Sequence, residues 1–133
     1  MWGEYGTDII GLTNITLTSE ANMDFGGAPN TVLIVNQLQN YSSGNYAAKL
    51  CKDLVAFGFD DWYLPAEGEL NAMYQQLGPT DNGFNGSGDI PGGVYWSSSE
   101  YSATWAWGQD FDDGYQGYDV KDNDLFRCRC VRR

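Results

Sequence analysis

The hydrophobic period of the chain changes once, near Gly93, and that change limits the fold more than any other feature. Before it, apolar residues recur at helical spacing; after it they alternate. Ala47, Leu50, Cys51, Leu54 and Val55 fall at i, i+3, i+4, i+7 and i+8, one face of an amphipathic helix that Gly58 would close. Val32, Leu33, Val35 and Leu38 give a second stripe over 30–39, with Asn30-Thr31 as its cap. In a third, Pro65 suits the first turn, Glu67 and Glu69 complement the helix dipole, and Leu70, Met73, Tyr74 and Leu77 supply the buried face. Beyond Gly93, the segments 94–96, 104–111 and 125–131 read as strands separated by Gly, Asp and Asn turns. Residues 1–28 and 79–93 read as loops, the first with at most one short strand. Helices first and an antiparallel sheet afterwards define an α+β domain.

At 133 residues the chain is long enough for one domain, spanning 1–133. Acids outnumber bases 18 to 7, for a net charge of −11. That balance repels phosphate backbones and anionic lipid surfaces, so nucleic acid is excluded as a partner. No apolar run is long enough for membrane insertion. No signal peptide opens the chain, and Trp2-Gly3-Glu4-Tyr5 reads like the inside of a domain, so the start looks like a processed or internal boundary. Histidine is absent, which removes Ser-His-Asp and Cys-His nucleophile pairs and His-ligated zinc.

Aromatic residues reach 15% of the chain, and they concentrate with acids between 101 and 124. Tyr101, Trp105, Tyr115 and Tyr118 are interleaved there with Asp110, Asp112, Asp113, Asp119, Asp122, Asn123 and Asp124. Tyr and Trp offer large, rigid contact area with a polar handle, as antibody paratopes do. Carboxylates and amides beside them accept from sugar hydroxyls or protein donors. This set is the candidate ligand-binding face. The Asp cluster also raises calcium as a possible cofactor, but the fifth and twelfth positions of an EF-hand loop are not met after Asp110, and a solvated acidic face is the simpler reading.

Several ordered motifs then carry a family resemblance. They are Asn45-Tyr46-Ala47-Ala48-Lys49-Leu50-Cys51, Asp61-Trp62-Tyr63-Leu64-Pro65, Glu69-Leu70, and Tyr95-Trp96-Ser97-Ser98-Ser99-Glu100-Tyr101. Ala106-Trp107, Phe111, Asp113-Gly114, Lys121 and the closing Arg129-Cys130-Val131-Arg132 continue the series. Together they resemble the C-terminal domain family of the Legionella collagen-like adhesin, over nearly the whole chain. The resemblance implies a C-type-lectin-like fold: two or three short helices packed on a small twisted antiparallel sheet, with long loops presenting a binding face. It implies an extracellular, cell-surface or virion-surface place, as on adhesins and phage tail fibres, and a host or cell-surface protein or glycan as partner. The sulfated glycans and trimeric state of the Legionella type do not carry over simply; the −11 charge opposes the ligand, and a homotrimer stays open.

Related members are variable proteins of diversity-generating retroelements, whose mutagenised codons yield Tyr, Asp, Ser and Gly. Positions 101–105 and 112–126 are rich in those residues. Tyr101, Trp105, Tyr115 and Tyr118 fall where family members vary, whereas Trp96, Trp107 and Phe111 match near-fixed positions and read as core, as does Trp62. Cys51 and Cys130 match the family's recurrent cysteines, implying a disulfide. It would close a loop of about 80 residues, worth about 4 kcal/mol in the chain-entropy model. Cys128 is then an alternative partner or a free thiol. The family's first strand is missing, which would leave the 126–131 strand with an open edge. Two other readings compete with ligand binding: a structural trimerisation or tip domain, and an enzyme of the formylglycine-generating superfold using copper at Cys128 and Cys130.

Overall fold

A computed structural model describes residues 1–41, 44–77 and 93–133. Among the described residues the order is α1 (Thr18–Ala21), α2 (Gly27–Gln37), α3 (Ala47–Lys52), α4 (Glu67–Leu77), β1 (Val94–Glu100), β2 (Trp105–Asp110) and β3 (Gln116–Val120). The strands form one antiparallel sheet in the order β1-β2-β3. The expected α+β class holds. The 79–93 loop lies outside the described residues except for Gly93.

Each helix boundary has a local cause. α2 starts three residues before its anticipated cap because Asp24 accepts from the Gly26 N–H and from Asn30 Nδ2. Thr31 sits inside the helix, where its hydroxyl donates to Gly27 O and accepts from the Leu64 N–H. At the start of α4, Glu69 reaches back to accept from the Ala66 N–H, the acidic half of a capping box. α3 stops at Lys52, short of the predicted stripe; Leu50 within it and Val55 beyond it are both exposed. Gly58 does not cap this helix. Phe57 and Gly58 both adopt positive φ, 55° and 81°, and turn the chain so that Ala56 bridges Phe59. That double left-handed pair is the signature of a type I′ turn, and it re-aims the residues that helical continuation would have buried.

The third strand is corrected as well. It is Gln116–Val120, not 125–131, and it pairs with β2 from Gln109↔Gln116 to Trp105↔Val120. The 125–131 segment contributes only isolated bridges, Arg127 to Tyr95 and Val131 to Tyr63. Arg127 exchanges hydrogen bonds with Val94 and Trp96 along the edge of β1, and Val131 exchanges both of its own with Tyr63. The anticipated open edge is therefore occupied at Val131. A regular strand fails here because Cys130 is tied to α3 through the Cys51–Cys130 disulfide, with Cα atoms 5.2 Å apart. That pairing is the one expected. Cys128 keeps a free, half-buried thiol, whose titration burial shifts upward.

The sheet has a core on each side. Trp96 and Ala106 join Trp2, Ile9, Ile34, Leu38, Ala48 and Cys51 on the side of α2 and α3. Leu70 of α4 meets Tyr95 and Phe111 on the other, where Tyr74 and Tyr95 both pack edge-on against the Phe111 ring. Trp96, Trp107 and Phe111 are buried as expected, whereas Trp62 is only half-buried. Between Trp96↔Gly108 and Glu100↔Ala106, β1 advances four residues and β2 two. This bulge holds Ser97, Ser98 and Ser99, all fully buried. Ser97 donates to Trp107 O, and Ser99 accepts from the Glu67 N–H while donating to Asp24.

Candidate functional site

Residues directly opposite in a sheet share a face, so the register sorts the candidate residues. Trp105, Trp107 and Gln109 stand opposite Val120, Tyr118 and Gln116, on the face that α4 covers. Gln109 donates to Asn71 of α4 at 2.9 Å, and Gln116 to Glu67 at 3.0 Å. Ala106, Gly108 and Asp110 lie on the reverse face, with Gly117 and Asp119 of β3.

On the first face, Tyr101, Trp105 and Tyr118 form a continuous aromatic rim. The Tyr101 and Tyr118 ring centroids are 4.1 Å apart, and Trp105 stacks on Tyr118 at 5.1 Å and 22°. Trp107 closes the rim from beneath, edge-on to Tyr118 at 5.5 Å. Trp107 itself is held by Ile15, whose carbonyl accepts from its indole N–H at 2.8 Å. Mutual stacking keeps these rings standing although Trp105 and Tyr118 are exposed. The hydrogen bond with Tyr101 raises the Tyr118 phenol above its ordinary value.

On the reverse face, Gly108 and Gly117 pair across β2 and β3, with the Tyr115 and Phe126 rings close over them. A cleft of about 360 Å³ opens over them. Tyr115 and Phe126 wall it, Asp110 and Asp119 stand in its lining, and Tyr118 borders it. The site predicted as one face is thus divided across two, joined along β3.

The remaining acids occupy turns. In the tight connection after β2, Asp110 accepts from the Asp112 N–H, and Asp113 from the Tyr115 N–H, both at 2.8 Å. Asp112 points back to the Gly93 N–H. After β3, Asn123 donates to Asp119 and accepts from the Leu125 N–H, while Asp122 and Asp124 are exposed. These carboxylates orient backbone turns and do not converge. Among the described residues, the one group of three side chains whose metal-ligating atoms come within 4.8 Å of one another is Cys51, Cys128 and Cys130. Two of its sulfurs are committed to the disulfide.

Sequence reasoning missed three features. Phe126 was read as part of a strand and walls the cleft instead. The glycines at 108 and 117 were not weighed, although a glycine inside a strand marks a close approach or an open space. Lys121 was noted only as a motif position. It is fully buried, pairs with Glu100, donates to Thr7 O and lies 4.7 Å from the centroid of the Trp2 ring. Glu100 also accepts from the Ile9 N–H, so the pair fastens the N-terminal segment behind the rim.

A small α+β domain with a stacked aromatic rim and an acid-lined cleft is organised for recognition, and the family agrees. The chain belongs to the Lcl C-terminal domain family, whose model matches residues 13–132, and so is an adhesin-like domain. No curated protein and no solved structure matches it. Among the described residues, no helix is long and apolar enough to cross a membrane.

Proposed function

We propose that this protein is a non-catalytic, C-type-lectin-like recognition module, displayed outside the cell or on a virion, that binds a cell-surface protein or glycan. One observation carries the reading: Tyr101, Trp105 and Tyr118 stack on each other in a rim that leaves Trp105 and Tyr118 exposed. Preformed rings lose little side-chain entropy on contact, and their faces suit both sugar rings and apolar side chains. Retroelement diversification fits the same reading. Residues 101, 105, 115, 118 and 119 all touch solvent, and of these only Tyr101 packs against a buried cluster, that of Ile15, Ala21 and Trp107.

The test is a paired screen of the labelled chain against a glycan array and a panel of surface proteins. Trp105→Ala and Tyr118→Ala should each weaken any hit by tenfold or more without unfolding the domain. A hit that survives both substitutions, or no binding on either panel, overturns the reading.

A further inference from the structure

We propose that the cleft over Gly108 and Gly117 takes a basic side chain, Lys or Arg, from a protein partner. The proposal rests on the recognition reading and adds the chemistry of one subsite.

The floor of the cleft is closely packed. A Cβ built on Gly108 would come within 2.7 Å of Tyr95 O, and one built on Gly117 within 2.7 Å of Tyr115 Cε1. No side chain fits at either paired position, and Tyr115 and Phe126 take the space that one would fill, so a ligand in the cleft meets ring faces and the carboxylates beside them. The walls are aromatic: Tyr115 lies over Gly117, and Phe126 approaches Gly108 while packing on Trp96 at 4.5 Å. Asp110 and Asp119 share this face and mark its two ends, Asp110 opposite Val94 and Asp119 opposite Ala106, with the two glycines between them. Both carboxylates are held in place by local bonds. Asp110 accepts from the Asp112 N–H at 2.8 Å; Asp119 accepts from the Val120 N–H at 2.7 Å and from Asn123 at 3.0 Å. The lining therefore supplies two oriented negative charges, aromatic faces and no cation.

That combination selects among ligands. An apolar or anionic group would strip water from the carboxylates without replacing its hydrogen bonds, and a neutral hydroxyl would replace them without offsetting the charge. An ammonium or guanidinium replaces them with charge-assisted bonds and gains further from the ring faces. The net charge of −11 adds long-range attraction for the same sign of ligand. A side chain on a long apolar stem suits a cleft whose walls are rings and whose charges are fixed beside them.

The experiment is an amide NMR titration of the whole chain with three probes: acetyl-Gly-Lys-Gly-amide, its Arg counterpart and its norleucine counterpart. The basic tripeptides should shift the Gly108, Gly117 and Asp119 signals, and the norleucine peptide should not. Asp110→Asn with Asp119→Asn should weaken that binding at least tenfold. Asp60→Asn with Glu20→Gln removes the same charge elsewhere and should weaken it less than twofold. Shifts spread evenly over the acidic surface overturn the proposal. So do equal shifts with the norleucine peptide. The two readings fail separately: partner binding lost in Trp105→Ala but intact in the Asp110/Asp119 variant removes the basic-side-chain subsite and leaves the recognition module.

Discussion

Trp107 and Trp105 stand on the same face of β2 with one residue between them, yet Trp107 is 2% exposed and Trp105 39%. The strand treats them alike; the N-terminal segment does not. Asn14 bridges Glu100, which brings Ile15 and Ala21 down onto Trp107 and gives its indole N–H a carbonyl. Beyond the reach of that segment, Trp105 has only Tyr101 and Tyr118 for company. The same strand thus serves as core at one position and as contact surface at the next residue on that face. What divides them is coverage by distant chain.

The sharpest way to break this division is to release the segment that makes it. Lys121→Met keeps the bulk of the side chain but strands the Glu100 carboxylate, whose cationic partner among the described residues is Lys121. Removing one partner of a buried ion pair costs roughly 3–5 kcal/mol. Urea denaturation should show a loss of that size, and hydrogen exchange should show faster opening at Trp2 and Ile9, whose amides hang on Lys121 O and Glu100. A loss below about 1 kcal/mol would mean that the segment is held by packing alone.

A smaller effect should appear with pH. Glu67 is fully buried at the start of α4, and burial pushes its carboxyl up to about 7, against the opposing pull of bonds from Gln116 and Ser97. The folded state therefore holds a proton that the unfolded chain releases near its ordinary value of about 4.5. Stability from this group is fully present below about 4.5 and falls as pH rises through about 7, by at most about 3 kcal/mol. Denaturation midpoints measured at pH 5 and pH 8 should differ in that direction. Glu67→Gln should flatten the difference, and an unchanged slope in that variant would assign the pH dependence elsewhere. Because Glu67 binds Gln116 at the edge strand, this titration sits directly beneath the recognition face.

How far the molecule could be read from its sequence follows the same divide. Contacts close along the chain were legible: the stripe on α4, the alternation of β1 and β2, the acidic turns. Core tryptophans and the Cys51–Cys130 pair came through the family motifs, which encode long-range contacts that no local pattern contains. The 125–131 segment misled because its alternating Leu, Phe, Cys and Val satisfy the strand pattern. In the fold these residues serve four different neighbours: Phe126 meets Trp96, Arg127 the edge of β1, Cys130 α3 and Val131 Tyr63. Gly58 misled in the other direction, since one glycine can close a helix or a turn and only the φ of Phe57 decides which. The candidate residues are legible by type but not by face. A run of aromatics and acids carries no register, and it is the register of β2 on β3 that puts Trp105 and Asp119 on opposite sides.

The smallest expected effect sharpens the comparison most. Trp105→Ala removes a ring that is partly in water and touches two others, so its cost to folding should be about 1 kcal/mol, the scale of aromatic pair contacts. Trp107→Ala empties a buried site and should cost about 3–5 kcal/mol. Paired thermal or urea melts would measure both, with the two substitutions one residue apart on one face of one strand. Equal losses would show that the rim is structural, an extension of the core whose exposure is incidental. A small loss at Trp105 would mean that this large ring is kept at the surface with little benefit to folding, which is the condition expected of a residue retained for a partner.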